Sequence, residues 1–177
     1  MKPVLFIMCG LPFSGKTVLA QKLSEHFDNS VISIDSIREE FGFSWEDNEK
    51  VTPADWDKVF TAVHKRIGQE LDLGHSVIYD SANQDRASRD DLRAFAKKHN
   101  ATTKIIYLDV PLEVIMKRWQ ENQHTKTRFH LPMKWLRAAI DTLEPPKSDE
   151  KPYVYCLQTT DQDIFDQIEL SHHLNNE

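Results

Sequence analysis

The sequence predicts an α/β fold in which a parallel β-sheet carries helices on both faces. Five short apolar runs, rich in β-branched and aromatic residues, alternate with longer amphipathic stretches. Such runs are typical of strands buried on both faces, and spacers of helical length between them favour parallel βαβ units. The 177 residues show no internal repeat and no low-complexity linker, so we expect one domain over residues 1–177.

The strands and helices follow from the apolar runs and from the periodic stretches between them. The predicted strands span residues 4–9, 31–34, 76–80, 103–110 and 153–157. The predicted helices span residues 16–27, 54–73, 86–98, 111–121 and 132–143, with a weaker pattern at 161–171. Asp85 or Gln84 can cap the third of these helices, and Pro111 and Pro132 stand where a first helical turn tolerates proline.

Composition narrows the class of protein. The chain is 40% hydrophobic and 28% charged, with 22 Lys and Arg against 28 Asp and Glu and a net charge of -6. This charge is a poor match to a nucleic-acid backbone, although it leaves room for a local basic cleft. Cys9 and Cys156 lie in apolar runs and are interpreted as buried thiols in a reducing compartment. The N-terminal apolar run is too short for a membrane span and no cleavage site follows it, so we expect a cytoplasmic protein.

The strongest motif is CGLPFSGKT, which lies between the first predicted strand and the first predicted helix. Gly10 to Thr17 matches G-x-x-x-x-G-K-[ST], the Walker A pattern or P-loop, in the context that the motif requires. The glycines allow a tight turn whose N–H groups point at phosphate oxygens. Lys16 is expected to reach the β- and γ-phosphates, and the Thr17 hydroxyl to bind Mg²⁺. The predicted nucleotide-binding residues are Gly10, Pro12, Phe13, Ser14, Gly15, Lys16, Thr17 and Val18.

A second motif follows the second predicted strand. In SIDSIREEFG, Asp35 lies at the carboxyl end of that strand, where open parallel sheets bind ligands, and Arg38 follows three residues later. A carboxylate there can accept the proton of a substrate hydroxyl that attacks a γ-phosphate, and Arg38 can hold the substrate or the transferred group. The alternative is an N-cap aspartate followed by a surface arginine.

The P-loop and this D-x-x-R motif resemble the small P-loop kinases grouped with chloramphenicol phosphotransferase, zeta toxin and the 5′-kinase domain of polynucleotide kinases. Three further stretches are similar in the same order: VIYDSANQDRASRDDLRAFAKKH, IIYLDVPLEVIMKRWQEN and LEPPKSDE. They resemble the third strand with its D-x-x-N end, the fourth strand with the lid helix, and the Glu-Pro-Pro stretch of that group. The resemblance runs from about residue 4 to about residue 157 and implies a P-loop NTPase fold with a short helical lid at about 118–131.

The resemblance also implies roles for individual residues. Asp35 becomes the general base and Arg38 a ligand of substrate or phosphate. Asp80 either holds Arg38 or supports Mg²⁺ from outside its ligand shell. Asn83 and Arg89 border the acceptor site. The substrate-binding set is therefore Asp35, Arg38, Asp80, Asn83 and Arg89.

The lid departs from the pattern of polynucleotide kinases. Arg118 is implied as the lid arginine that neutralises the transferred phosphoryl group, but the position four residues later, where those kinases carry a second arginine, is Asn122. Lys126 or Arg128 can take over that role. The predicted catalytic residues are Lys16, Asp35, Arg118 and Arg128.

The acceptor itself is less defined. Phe41, Phe43, Trp45 and Trp56 fall where this family builds its acceptor pocket, and they serve either as core packing or as a wall for a flat or apolar alcohol. The acidic WEDNE stretch nearby (45–49) either disfavours a polyanionic acceptor and suits a cationic one, or is only a solvated loop. We therefore expect an ATP- and Mg²⁺-dependent kinase acting on a small-molecule hydroxyl. A polynucleotide 5′-hydroxyl or toxin-like kinase is the first alternative, and a nucleotide-binding switch without an acceptor is the second.

Overall fold

A sheet of five parallel strands organises the chain, as the sequence predicts. The computed structural model describes residues 2–43, 48–126 and 130–174. The strands are β1 (Val4–Cys9), β2 (Ser30–Ser33), β3 (Val77–Asp80), β4 (Thr102–Leu108) and β5 (Tyr153–Tyr155), in the order β2-β3-β1-β4-β5. All four neighbouring pairs are parallel, so the carboxyl ends of the strands meet at one edge of the sheet.

Seven helices surround the sheet in the described part of the chain. They are α1 (Lys16–Phe27), α2 (Ile34–Glu40), α3 (Pro53–Asp72), α4 (Arg86–Lys98), α5 (Leu112–Thr125), α6 (Met133–Thr142) and α7 (Asp161–Leu174). Short 3₁₀ turns occupy Asn48–Lys50 and Ser148–Glu150. None of the described helices combines the length and the apolar character that crossing a membrane requires.

The alternation of side chains along β1 divides the core into two layers. Leu5, Ile7 and Cys9 point to the face where residues of α3 and α4 pack. The other three residues, Val4, Phe6 and Met8, point to the face covered by α1 and α7. All six residues of β1 are buried, because this strand is central and has helices on both sides.

A third, smaller cluster lies beyond the carboxyl edge of the sheet. Leu11 of the P-loop packs there with Ile115 of α5. Leu131, just before α6, and Leu136, within α6, belong to the same cluster. The stretch predicted as the lid, about 118–131, covers the second half of α5 and extends to Leu131, just before α6. Residues 127–129 of the lid lie outside the described residues.

Two sequence expectations need correction at the sheet edges. The strands β2 and β5 are not buried on both faces, because they form the two edges of the sheet, and Ser30 and Val154 are exposed. The second strand also ends earlier than predicted, since Ile34 begins α2 instead of ending β2. Cys9 is buried as predicted, but Cys156 is only partly buried because it follows the edge strand β5.

Candidate active site

The P-loop connects β1 to α1 through a backbone that only certain residues adopt. Gly10 and Gly15 have φ angles of 142° and 108°, and Phe13 between them has a φ of 65°. A Cβ atom at Gly10 would lie 3.0 Å from the carbonyl oxygen of Leu108, so the first glycine of the motif allows close approach of two backbones. Positive φ at a non-glycine residue is costly and is commonly found at ligand-binding turns. The loop thus combines a close backbone approach with positive φ at Gly10, Phe13 and Gly15.

The reactive side chains of the motif lie beside the end of β3. The Lys16 Nζ donates to the carbonyl oxygens of Gly10 and Leu11 at 2.9 and 2.8 Å, which holds the ammonium group over the loop. The Asp80 carboxylate accepts a hydrogen bond from the Thr17 side chain. Burial raises the pKa of Asp80 above its ordinary value, while the Thr17 hydrogen bond and the charge of Lys16 oppose the rise.

A cavity of about 820 Å³ opens next to the P-loop at the carboxyl edge of the sheet. We call it the larger cavity. It brings together the predicted residues Lys16, Thr17, Asp35, Asp80 and Asn83, which come from the P-loop, from α2 and from β3 and the loop that follows. Pro12, Phe13, Gly15 and Val18 of the predicted nucleotide-binding set also line it.

Asp35 reaches the larger cavity because β2 ends where it does. Ser33, the last residue of β2, pairs with Asp80 of β3, so the turn into α2 places Asp35 beside the end of β3. Asp35 lies in the first turn of α2, where an acidic side chain is favoured by the helix dipole, and it is half-buried. Ser33, and not Asp35, occupies the N-cap position.

Arg38 does not reach the surface of the larger cavity. Its side chain is fully buried, and its guanidinium lies over the ring of Trp56 at 4.7 Å from the ring centroid. Burial lowers the pKa of Arg38, and the charge of Asp35 opposes this effect. The alternative of a surface arginine is therefore wrong. Trp56, and not Arg38, lines the larger cavity in this structure, so a direct contact between Arg38 and substrate stays a prediction from the sequence.

Arg89 is also absent from the cavity wall. Its guanidinium forms a buried ion pair with Glu150 at 2.9 Å, with side chains that are 0% and 1% exposed. It also donates to the carbonyl oxygens of Asn83 and Gln84, each at 3.1 Å. The prediction that Arg89 borders the acceptor site is thus wrong in its geometry: the charge is committed to Glu150, and Arg89 holds the loop that forms the border.

Asn83 belongs to that loop and fixes it to β1. Its Nδ2 donates to the Met8 carbonyl at 2.8 Å, and its own carbonyl accepts from the Cys9 Sγ at 3.3 Å. The residue has a φ of 43°, a conformation in which asparagine is common. Burial raises the pKa of the Cys9 thiol to about 11, so the thiol is protonated and can donate at neutral pH.

Arg118 lies on the other side of the P-loop. Its Nη1 donates to the carbonyl oxygens of Phe13 and Ser14 at 2.9 and 3.0 Å. It lines a second cavity of about 540 Å³, which we call the smaller cavity, together with the buried Asn122. Phe13, Gly15 and Val18 line both cavities, so the P-loop separates them.

Some of the predicted residues fall outside the site or outside the described residues. Arg128 and Trp45 lie in stretches that the structure does not describe. Phe41 and Phe43 stack on each other, with ring centroids 6.1 Å apart, and neither lines the larger cavity. Of the three described aromatic residues among these candidates, Trp56 is the one that lines the larger cavity.

The structure adds residues that the sequence did not single out. On the larger cavity these are Gln21, Ile34, Phe60, His64, Tyr79, Ser81, Ala82, Ser88, Asp91, Leu92 and Leu131. Trp56, Phe60 and His64 follow one another at intervals of four residues on α3, which is a signal visible in the sequence. The spacing does not reveal which face of α3 turns to the cavity and which to the core.

The family of the chain follows from its sequence. The family model AAA_33, described as an AAA domain, matches residues 5–146, which include the P-loop, Asp35 and Asp80. The chain belongs to the AAA_33 family. This membership agrees with the resemblance to small P-loop kinases that the sequence motifs carry.

The proteins similar to this AAA_33 domain include a curated kinase and solved structures of other kinases. It is 30% identical over 120 residues to L-seryl-tRNA(Sec) kinase of Methanococcus maripaludis, a match of 65% of this chain and 44% of that protein. The chain thus spans less than half the length of this relative. A sugar kinase from Janibacter sp., 21% identical, superimposes with a TM-score of 0.68 over 95% of this chain and 92% of that one. An APS kinase from Mycobacterium tuberculosis, solved with AMPPNP and APS, is 17% identical. It superimposes with a TM-score of 0.65 over 95% of this chain and 98% of that one.

Proposed function

We propose that the protein transfers the γ-phosphate of ATP to a hydroxyl group of a small molecule, with Asp35 as the general base. The observation that carries this proposal is that Asp35 lines the same cavity as Lys16 and Thr17. A phosphate-binding loop and a carboxylate that share one cavity provide both the donor site and the proton acceptor of a kinase.

The two cavities on either side of the P-loop favour one orientation of the nucleotide. The triphosphate lies along the P-loop amides and the start of α1, whose dipole favours negative charge. The base then lies in the smaller cavity between Arg118 and the end of β5, and the γ-phosphate faces the larger cavity. ATP is proposed as the donor because the structurally similar APS kinase was solved with AMPPNP, an ATP analogue.

Thr17 and Asp80 are suited to a magnesium ion. Their hydroxyl and carboxylate oxygens are hard ligands, and they already contact each other at the P-loop. No cluster of three acidic, histidine or cysteine side chains that could hold a metal occurs among the described residues, which suits an ion bound largely by phosphate and water. We propose that Thr17 binds Mg²⁺ directly and that Asp80 orients Thr17 and the surrounding water. The ion supplies charge neutralisation on the β- and γ-phosphates.

The chemical step is an in-line displacement at phosphorus. The acceptor oxygen forms a bond to the γ-phosphorus, the bond from that phosphorus to the bridging oxygen breaks, and ADP leaves with the electron pair. Asp35 takes the hydroxyl proton. Lys16 stabilises the charge that develops on the transferred group, because its Nζ lies over the loop that holds the phosphates.

The roles of the lid residues are proposed separately. Arg118 is bound to the P-loop carbonyls, so we propose that it supports the loop and contacts the nucleotide rather than the acceptor. A catalytic contact between the transferred phosphate and Arg128 or Lys126 stays a prediction from the sequence. Arg38 and Arg89 act behind the cavity wall, by positioning Trp56 and the loop around Asn83.

A hydroxyl carried by RNA is the second candidate acceptor. It is favoured by the 30% identity to a kinase that acts on seryl-tRNA. The match covers 44% of that relative, which leaves more than half of it outside the match. The part of the relative that recognises its tRNA therefore need not be present in this chain. We therefore propose the small-molecule hydroxyl first.

The experiment compares Asp35→Asn with Glu39→Gln. Both changes replace a carboxylate with an amide on α2, but Glu39 is exposed and lies outside the larger cavity. Acceptor-stimulated ATP consumption should fall by about 10²–10⁴-fold in Asp35→Asn, the range typical of general-base catalysis, and should be unchanged in Glu39→Gln. ATP affinity should change little in both variants because the P-loop provides that binding.

Equal acceptor-stimulated rates in Asp35→Asn and the wild type would remove Asp35 from the mechanism. A wild-type protein that binds ATP, but consumes none in response to a broad set of hydroxyl compounds and 5′-hydroxyl oligonucleotides, would instead support the nucleotide-binding switch.

A further inference from the structure

One wall of the larger cavity is aromatic. Trp56, Phe60 and His64 project into it from successive turns of α3, and Tyr79 adds a further ring at the end of β3. Trp56 and Phe60 are stacked with ring centroids 5.7 Å apart and an interplanar angle of 30°. Phe60 is 41% exposed although it borders a cavity, which leaves an apolar ring face open to an occupant.

A buried cation packs against the Trp56 part of this aromatic wall. The guanidinium of the buried Arg38 lies over the Trp56 ring, so the indole is fixed between the cavity and a cation. The wall thus offers flat ring faces, of which that of Trp56 is packed against the Arg38 guanidinium. Flat apolar groups bind such surfaces with little loss of side-chain entropy.

The charged residues among the remaining described lining are mostly acidic. Four carboxylates, those of Asp35, Asp80, Asp85 and Asp91, border the larger cavity, and Lys16 is the one Lys or Arg among the described residues that line it. Lys16 lies at the P-loop, on the donor side. An acceptor with a phosphate, sulfate or carboxylate group would therefore meet carboxylates on the acceptor side and find no described cation to pair with.

Three of these carboxylates already have roles. Asp80 accepts from Thr17, and Asp85 caps α4 by accepting from the backbone N–H and hydroxyl of Ser88. Asp35 is the proposed base. Asp91, about one turn and a half further along α4, is exposed at the rim of the cavity, and no hydrogen bond or ion pair involves it among the residues that the structure describes. It is thus the carboxylate open to a positive group on the acceptor.

We propose that the acceptor is a ring-containing alcohol that carries a positively charged nitrogen. Its ring packs on Trp56 and Phe60, its ammonium group faces Asp91, and its hydroxyl faces Asp35 and the γ-phosphate. The inference rests on the proposed kinase function and names the acceptor class for it. In the transfer the hydroxyl oxygen bonds to the γ-phosphorus, its proton passes to Asp35, ADP leaves, and the ammonium group is unchanged.

The first test measures binding without turnover. Three related alcohols are titrated by calorimetry into the protein without nucleotide: phenylalaninol, which carries an amine, 3-phenylpropan-1-ol, which is neutral, and 3-phenyllactate, which carries a carboxylate. We expect the amine to bind about tenfold more tightly than the neutral alcohol, and the carboxylate to bind most weakly. Equal affinities, tightest binding of the carboxylate, or no binding of the amine at millimolar concentration would overturn the proposal.

The second test assigns the contacts. Asp91→Asn should weaken the binding of the amine about 3- to 10-fold and leave the affinity for the neutral alcohol unchanged, because only the amine loses a charge partner. Asp57→Asn is the matched control, since Asp57 is exposed, lies on α3 next to Trp56 and does not line the cavity. Phe60→Ala should weaken the binding of both alcohols about tenfold. Phe60→Tyr, which keeps an aromatic ring, should bind both alcohols as the wild type does. The assignment would be contradicted if Asp57→Asn lost the preference for the amine, or if Asp91→Asn kept that preference in full.

Failure of the acceptor class is distinguishable from failure of the kinase function. Phosphate transfer to anionic or ring-free alcohols, with no preference for the amine, would refute the class and leave the kinase intact. Binding of the amine without transfer to any acceptor would refute the kinase function, while the recognition by Trp56, Phe60 and Asp91 would stand.

Discussion

Lys16 is the residue on which the donor side depends. Its ammonium group rests on two P-loop carbonyls, outside the two main layers of the core, and the side chain is only partly buried. Lys16→Ala should therefore lower ATP turnover by at least about 10²-fold, since it removes the charge from the β- and γ-phosphates. The melting temperature without nucleotide should stay close to that of the wild type. The measurements are ATP consumption and thermal unfolding of the same samples.

Lys97→Ala provides the control for this substitution. Lys97 is exposed in the last turn of α4 and lines neither the larger nor the smaller cavity. It should leave both turnover and melting temperature unchanged. Unfolding of Lys16→Ala, or phosphate transfer at the wild-type rate, would show that the loop does not bind phosphate.

At the scale of elements, α4 and the turn at Ser148–Glu150 form one unit. Arg86, Arg89 and Arg93 lie along one side of α4, and each forms an ion pair with Asp149 or Glu150 of the turn. The Glu150 side chain is 1% exposed and accepts from both Arg89 and Arg93. This pairing holds the loop after β3, because Arg89 also binds the carbonyls of Asn83 and Gln84.

Glu150→Gln should destabilise the protein by about 3 kcal/mol at neutral pH. The change leaves two arginines, one of them fully buried, without the carboxylate that compensates them. Asp149→Asn is the matched control: it removes a carboxylate one residue earlier from an arginine of the same helix, but at an exposed pair. Urea unfolding should show a large loss for Glu150→Gln and little change for Asp149→Asn. Equal losses would mean that burial does not strengthen this pair.

The same pair predicts how stability depends on pH. Hydrogen bonds from Arg89 lower the pKa of Glu150 from 4.5 to about 2 in the folded protein. A lowered pKa stabilises the folded state above the unfolded-state pKa, and this contribution is lost as the pH falls toward the folded-state value. The stability difference between wild type and Glu150→Gln should therefore narrow as the pH falls from about 5 to about 3. A gap of constant size in urea unfolding across that range would refute the ion pair.

At the scale of the whole molecule, charge separates the two candidate acceptors. The net charge is -6, and the described lining of the larger cavity holds four aspartates against one lysine. We expect no measurable binding of a 5′-hydroxyl single strand at physiological ionic strength, because phosphate contacts require clustered Lys and Arg. Fluorescence anisotropy with a labelled oligonucleotide, over a series of salt concentrations, measures this directly.

A micromolar complex that weakens steeply with salt would contradict that expectation and favour the RNA-linked hydroxyl. The salt dependence is informative because each phosphate that a Lys or Arg neutralises steepens the fall of affinity with salt concentration. A weak complex that does not respond to salt would instead indicate occupation of the aromatic wall by an unpaired base, through stacking on Trp56 or Phe60.

Much of the fold was predictable because its signals are local. Residues 16–27 and 86–98 were predicted as helices and form α1 and α4 with those bounds. The second strand was predicted one residue too far, since Ile34 suits a strand by propensity but packs on the core from the start of α2. The edge positions of β2 and β5 were not predictable from apolar runs, because order across a sheet depends on contacts between distant segments.

The sequence by itself determined the P-loop, its place between strand and helix, and the candidate base Asp35, since these depend on contiguous residues whose backbone geometry is locally encoded. Only the tertiary structure decided which charged side chains line the larger cavity. Arg38 and Arg89 have the spacing of ligands, yet Arg38 is buried over Trp56 and Arg89 pairs with Glu150, 61 residues away. A buried charge must find its partner wherever the fold brings one, and that partner's position is not written in the neighbouring sequence.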